Sequence, residues 1–198
     1  MTTTIYLIRH GEIINPENTI YSRLPGFHLS ERGEKQIENT AEFLLNKNID
    51  EIYASPLERA KESAEIIRKK LAISTIRISE EIIESRTSYQ GRRFDELDAL
   101  QSEIFLKPKS PTDETIEQLA QRMLRFIKYI FHTYPEKHIA AVSHGDPIMA
   151  LKTLIQYNSY NFTLFKTDHY AQQGEVYEIK SDDQNNFSIT SIYKPNIS

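Results

Sequence analysis

The sequence contains no cysteine among its 198 residues. Disulfide bonds, a thiol nucleophile and a zinc site with cysteine ligands are therefore excluded. No apolar run approaches the roughly 18 residues that a membrane helix needs, and the N-terminus lacks the basic and then apolar layout of a secretory signal. These absences predict a cytoplasmic protein without a membrane partner.

The composition is that of an ordinary globular protein, with 39% hydrophobic and 26% charged residues. The formal net charge is -4, and no basic stripe of the kind that binds nucleic acid is present. The sequence has no internal repeat and no Ser/Gly-rich linker, so we expect a single domain over residues 1–198. Any anionic ligand must then be held by a local cluster of cations.

The first third of the chain reads as strand, helix, strand and helix. The continuous apolar run Ile5–Ile8 is typical of a strand buried on both faces. A helix is predicted from about 30 to 45 with Ser30 as its N-cap, followed by a strand around 51–54. Ser55 is expected to cap the next helix, with Pro56 at its first position.

The rest of the chain continues the alternation. The segment after "SPTDET" has helical periodicity up to Tyr134-Pro135. Residues 139–142 form an apolar strand, after which Asp146 and Pro147 indicate a new helix. The segments "GEVYEIK" and "FSITSIYK" predict a terminal hairpin. This order of elements favours an α/β fold with a mostly parallel central sheet.

Polar residues follow three of the predicted strands. In an open parallel sheet the carboxyl ends of the strands lie at one edge, where ligands bind. That edge is expected to receive the following residues: Arg9 and His10, Ser55 with Arg59, and Ser143 with His144. We expect Gly11 to provide the turn that lets Arg9 and His10 reach the same ligand.

Two arginines and two histidines around one point suit a phosphoryl group. Guanidinium groups bind its oxygens in pairs, and an imidazole nitrogen can act as the nucleophile. The arginines should lower the pKa of His10 and keep the ring neutral. A metal site formed by His10, His144 and Asp146 is the weaker interpretation, because two cations would lie beside it and no metal-binding spacing is present.

Four segments, in this order, resemble the histidine phosphatase superfamily, also called phosphoglycerate mutase-like: "LIRHGE", "LSERGEKQ", "ASPLERAKESAEII" and "VSHGDPI". The similarity spans about residues 5–150. It implies a three-layer α/β/α sandwich that uses no metal and no cofactor. By the same resemblance, His10 accepts the phosphoryl group, and Arg9, Arg59 and His144 hold its oxygens.

The resemblance also implies an acid that protonates the leaving oxygen. In "SEEIIESRTSYQG" the best match is Glu84, while Glu80 and Glu81 are less well placed. The loop after the nucleophile offers substrate contacts, which we expect from Asn15, Tyr21, Ser22 and Arg23, with Gly145 beside His144. The segment 92–110 is the candidate for a lid.

The predicted function is hydrolysis of a small phosphorylated metabolite through a phosphohistidine. A phosphoglycerate mutase would share the same cluster but would pass the phosphoryl group to a second alcohol, and a phosphate-binding or partner-binding regulator would retain the fold without turnover. A homodimer is compatible with the sequence, with the terminal hairpin as one candidate surface.

Overall fold

The structure is a computed structural model that describes residues 3–96, 105, 110–167, 169–182, 184 and 186–196. The lid predicted for residues 92–110 lies largely outside this set, because residues 97–104 and 106–109 are not among those described.

The described residues form a six-stranded sheet with the order β3-β2-β4-β1-β5-β6. The strands are β1 (Thr4–Arg9), β2 (Glu51–Ala54), β3 (Ile76–Ile78), β4 (His138–Ser143), β5 (Val176–Ser181) and β6 (Phe187–Tyr193). The pairs β1/β4, β2/β4 and β2/β3 are parallel. The terminal hairpin adds β5 and β6 in antiparallel pairing.

Helices connect or flank these strands: α1 (Glu31–Leu44), α2 (Glu58–Leu71), α3 (Ile116–Thr133), α4 (Gly145–Tyr157) and α5 (Phe162–Thr167). Short 3-10 helices occupy Leu45–Lys47, Glu80–Ile82 and Phe94–Glu96. Ser30 caps α1 as predicted by accepting a hydrogen bond from the Gly33 amide. The α3 start is fixed by a reciprocal capping box between Thr115 and Gln118.

The alternation of β1 side chains divides the core into two layers. Ile5 and Leu7 belong to the apolar cluster that contains the buried faces of α3 and α4, whereas Tyr6 and Ile8 belong to the cluster that contains those of α1 and α2. Helices therefore cover both faces of the sheet. The predicted three-layer α/β/α sandwich with a mostly parallel sheet is confirmed.

The predicted start of α2 is wrong. The helix begins at Glu58, with Leu57 in the N-cap position, so Ser55 and Pro56 precede it. The Ser55 amide instead donates to the Val142 carbonyl oxygen at 3.0 Å and extends the pairing of β2 with β4. The Ser55 hydroxyl group is 2.7 Å from Nε2 of His144. Its role is a tertiary contact rather than a helix cap.

The predicted role of Gly11 in the turn is also wrong. The backbone of Gly11 is not in the left-handed region, so the turn itself does not require glycine. A Cβ at this position would instead overlap the backbone carbonyl of Gly33 in the first turn of α1. Gly11 is therefore needed for close packing of the loop against the helix.

Two short elements were not predicted. β3 has three residues, too few to show a periodic pattern. α5 has six residues, and its start is marked by Asn161, whose Oδ1 accepts from the Thr163 amide at 2.8 Å. Within the described ranges, none of the helices combines the length and apolar character that crossing a membrane requires.

Candidate functional site

Three parallel strand ends bring the predicted site residues together. Arg9 ends β1 and pairs in register with Ser143 at the end of β4. The rings of His10 and His144, which follow these strands, have centroids 5.1 Å apart. Arg59 reaches the same place from the first turn of α2, where its guanidinium group is fully buried.

His10 is held in a defined neutral form. Its Nδ1 lies 2.7 Å from the Gly11 carbonyl oxygen, which can only accept a hydrogen bond, so Nδ1 carries the proton. The pKa of His10 is lowered well below 6.5 by burial and by the charges of Arg59 and Arg9. Nε2 is buried without a hydrogen-bond partner among the described residues. Its lone pair is therefore available to a bound electrophile.

The two arginines are each anchored by one nitrogen. Nη1 of Arg9 donates to the Ala171 carbonyl oxygen at 2.6 Å, and Nη2 of Arg59 donates to the Ser22 carbonyl oxygen at 2.7 Å. Nε of Arg9 and both Nε and Nη1 of Arg59 have no hydrogen-bond partner in the described part of the chain. These buried donors can bind the oxygens of an anion.

Aromatic rings support both guanidinium groups. The Arg59 guanidinium carbon lies 4.7 Å from the centroid of the Tyr21 ring, and that of Arg9 lies 5.5 Å from the Tyr170 ring. Stacking on an aromatic face restricts the planar guanidinium and favours its charge in a site from which water is excluded. Tyr21 also touches the His10 ring edge to face, with centroids 6.5 Å apart.

His144 lies between the cluster and Glu84. Its Nδ1 is 3.9 Å from Oε2 of Glu84. The pKa of His144 is lowered well below 6.5 by burial, and next by the charge of Arg59. His144 is therefore neutral, with one nitrogen on Ser55 and the other facing the acid.

Glu84 is 7% exposed, and its Oε1 accepts from the Ser85 amide at 2.7 Å. Burial raises its pKa to about 7, with a further contribution from the charge of Asp146 and an opposing one from Arg59. The Glu84 carbonyl oxygen is fixed by Nε of Arg23 at 2.7 Å and by Nη2 of Arg122 at 3.2 Å. A carboxyl group with this pKa can donate and accept a proton near neutral pH.

The weaker candidates for the acid lie elsewhere. Glu80 is exposed in its 3-10 helix. Glu81 forms an ion pair with Arg125, which is itself 62% exposed. Neither carboxylate has the burial that raises the pKa of Glu84.

Asp146 is a site residue whose role the sequence did not reveal. Its Oδ2 accepts from the Ser85 hydroxyl group at 2.9 Å, and its Oδ1 accepts from the Tyr170 hydroxyl group at 2.6 Å. It belongs to the first turn of α4, just after His144, and that position is the signal by which it could have been found. Tyr170 carries no comparable local signal.

The predicted substrate contacts separate into two groups. Tyr21 and Ser22 line a cavity of about 460 Å³ whose wall also includes Arg9 and Glu84. Asn15 and Arg23 are not among its lining residues: Asn15 bonds to both backbone groups of Thr19, and Arg23 bridges Glu84 and Glu114.

Gly145 is buried at the start of α4, where a Cβ would lie 2.5 Å from the Tyr170 hydroxyl oxygen. Its contribution is to let Tyr170 approach the helix.

The charge pattern favours an anion rather than a metal ion. Over the described residues, no group of three or more His, Asp or Glu side chains is arranged to hold a metal. Both Asp146 oxygens already accept hydrogen bonds from hydroxyl groups. The arrangement combines a neutral imidazole with an unpartnered nitrogen, two guanidinium groups with unpartnered donors and a protonatable carboxyl group beside one cavity.

Several known proteins resemble this chain in sequence. The histidine phosphatase superfamily (branch 1) matches residues 5–191. The protein Rv0525 of Mycobacterium tuberculosis is 43% identical over 93 residues, covering 46% of this chain and 45% of that relative. The match thus spans less than half the length of this relative. The Bacillus subtilis protein named uncharacterized phosphatase PhoE is 29% identical over 160 residues, 77% of each chain.

Solved structures share the fold over the whole chain. The YhfR protein of Bacillus stearothermophilus superposes with a TM-score of 0.83 at 23% identity, over 99% of this chain and 98% of that one. A putative alpha-ribazole-5'-P phosphatase from Escherichia coli superposes with a TM-score of 0.78 at 21% identity, over 100% and 99% of the two chains.

Proposed function

Because the chain belongs to the histidine phosphatase superfamily, we propose that it hydrolyses phosphomonoesters through a phosphohistidine on His10. One observation carries the proposal. The neutral His10 ring holds its proton on Nδ1 against Gly11, and its unpartnered Nε2 lies in a cluster with two arginines that retain unpartnered donors. These contacts support the roles of His10 as nucleophile and of the two arginines as the oxyanion site.

In the first step, Nε2 of His10 attacks phosphorus and a P–N bond forms while the bond from phosphorus to the ester oxygen breaks. Arg9, Arg59 and His144 bind the phosphoryl oxygens as charge shifts onto them. Glu84, with its pKa near 7, gives its proton to the departing alcohol oxygen.

In the second step, water attacks phosphorus and the P–N bond breaks. Glu84, now ionised, takes a proton from the water, and inorganic phosphate leaves. Dividing the hydrolysis into two displacements replaces one difficult step with two easier ones. The guanidinium groups supply the positive charge that a metal ion would otherwise bring, so we propose that turnover needs no metal.

The test is to trap the phosphoenzyme with a labelled phosphomonoester in the presence of a chelator. We expect acid-labile, base-stable label on the wild-type protein and none on His10→Ala, while Ala in place of the exposed His28 leaves labelling unchanged. Normal turnover by the His10 variant, or loss of turnover on chelation, would overturn the proposal. Transfer of the label to 3-phosphoglycerate instead of water would identify a mutase.

A further inference from the structure

The cavity beside the catalytic cluster has an apolar wall formed by Ile20, Phe94, Phe105 and Phe165. The rings of Phe105 and Phe165 have centroids 5.3 Å apart. Phe94 and Phe105 also pack against the buried cluster that contains Ile20. The wall is therefore continuous from the 3-10 helix at Phe94 to α5.

Three of the hydroxyl groups that line the same cavity, those of Ser22, Ser85 and Tyr170, already donate to protein acceptors. The Ser22 hydroxyl group donates to the Ser85 carbonyl oxygen at 2.5 Å, and the hydroxyl groups of Ser85 and Tyr170 both donate to Asp146. These three groups cannot donate to a polyol in the cavity unless their present hydrogen bonds break. The hydroxyl groups of the polyol would lose water without equivalent compensation.

The charges around the cavity are unfavourable for a second anionic group on the leaving alcohol. Glu84 and Asp146 present carboxyl groups to the cavity, and the described lining cations are Arg9 and Lys166. Arg9 belongs to the phosphoryl site, and Lys166 is exposed to solvent with its Nζ 5.1 Å from the Phe162 ring centroid. Among the described lining residues, a carboxylate on the alcohol would thus lie near Asp146 with no buried cation beyond the Arg9 that the phosphoryl group occupies.

The inference rests on the proposed phosphomonoesterase function. We propose that this cavity receives the apolar alcohol portion of the substrate, so that the enzyme favours phosphomonoesters of aliphatic or aromatic alcohols over those of polyols and hydroxy acids. The phosphoryl group lies against His10 and the arginines. The alcohol body lies along the wall of Phe94, Phe105 and Phe165.

The test is a series of straight-chain substrates: ethyl, butyl and hexyl phosphate. Their leaving oxygens are chemically alike, so differences in kcat/KM report contacts of the chain. We expect kcat/KM to rise about fourfold per added methylene, and therefore roughly 250-fold over the four methylenes that separate ethyl from hexyl phosphate. Propyl phosphate should be preferred to glycerol 3-phosphate, which has the same carbon count.

Two variants locate the contact. Phe94 is only half-buried, so Phe94→Ala should fold, and kcat/KM should then depend less on chain length. Phe165→Leu keeps the site filled and should also reduce this dependence. The matched control is Phe43→Ala: Phe43 stacks on Tyr193 in the core on the other face of the sheet, and the wild-type slope should persist.

A flat series in the wild-type protein, or an unchanged slope in both Phe94→Ala and Phe165→Leu, would overturn the inference. The proposed function is checked separately with p-nitrophenyl phosphate. If that substrate is hydrolysed in a His10-dependent way while the alkyl series is flat, only the inference fails. If it is not hydrolysed, the proposed function fails as well.

Discussion

Glu84 and Asp146 are joined by one residue, because the Ser85 amide donates to Oε1 of Glu84 at 2.7 Å and the Ser85 hydroxyl group donates to Oδ2 of Asp146 at 2.9 Å. Asp146 also accepts from the Tyr170 hydroxyl group at 2.6 Å, so both of its oxygens are held by hydroxyl donors. Burial and the charge of Asp146 raise the pKa of Glu84 to about 7, so Glu84 can hold a proton near neutral pH. Several consequences of this arrangement and of its surroundings can be measured.

Asp146→Asn should move the pH dependence of catalysis. Asp146 contributes to raising the pKa of Glu84 to about 7, so its neutralisation lowers that pKa. The first step needs protonated Glu84, and we therefore expect the falling limb of kcat/KM to shift to lower pH. Profiles are measured with an alkyl phosphate. The control is Asp50→Asn, which removes a charge at the opposite end of the strands and should leave the falling limb in place. A falling limb that does not shift in Asp146→Asn would contradict the influence of Asp146 on the pKa of Glu84.

Glu84→Gln should stabilise the protein at alkaline pH. The folded-state pKa of Glu84 is raised from 4.5 to about 7, so the stability associated with its protonated form is complete below pH 4.5 and is lost as the pH rises through 7. The free energy of unfolding of the variant minus that of the wild type should be roughly 3 kcal/mol more positive at pH 8.5 than at pH 4. Urea unfolding at both values measures this gain.

The control for that experiment is Glu81→Gln, because Glu81 is close in sequence but pairs with an exposed arginine. The pH-dependent gain in the free energy of unfolding should be larger for Glu84→Gln than for Glu81→Gln. A pH-independent effect of Glu84→Gln would mean that Glu84 ionises normally.

Arg59→Met should weaken phosphate binding. Arg59 is fully buried and keeps two nitrogen atoms without acceptors among the described residues, and charge-assisted hydrogen bonds from them would hold a phosphoryl oxygen. We expect inorganic phosphate to raise the Tm of the wild-type protein and of His10→Ala. In Arg59→Met, the phosphate concentration that gives the same rise in Tm should be on the order of 100-fold higher. Arg77→Met, on the edge strand β3, should respond like wild type.

The two buried glycines of the site should differ in their tolerance of alanine. A Cβ at Gly11 meets the backbone carbonyl of Gly33, whereas one at Gly145 meets the side chain of Tyr170. Backbone cannot move aside easily, so Gly11→Ala should lower the free energy of unfolding by about 1–3 kcal/mol.

Tyr170 is partly exposed, so its side chain can move away from an added Cβ. Gly145→Ala should therefore cost less stability than Gly11→Ala. Its main effect should be lower activity, because the hydrogen bond between Tyr170 and Asp146 would break. Chemical denaturation of both variants gives the comparison. Equal losses of stability would argue against this explanation.

The parts of the site that the sequence predicted are those with local signals. Arg9, His10 and His144 directly follow apolar strands, and parallel pairing of those strands then determines that they meet. Arg59 was predicted as a site residue because it lies in the first turn of the helix after β2. Glu84 was chosen by resemblance, and its burial agrees with an acid of raised pKa.

The remaining features depend on contacts between distant segments. Asn15 and Arg23 occur in the right loop, but sequence does not determine the direction of a loop side chain, and both turn to other partners. Ser55 has the chemistry of a helix cap, yet the nearby His144 uses its hydroxyl group instead. Tyr170 and Phe165 come from a segment whose pattern does not indicate that it folds back over the site.

The anchoring of Arg9 by Ala171 has a consequence for biosynthesis. The two residues are 162 positions apart, and the neighbours of β1 on both sides, β4 and β5, are also made late. While the ribosome is still adding the middle of the chain, Arg9 and His10 are without the segments that position them. Activity should thus begin only after the residues through β5 have emerged from the ribosome.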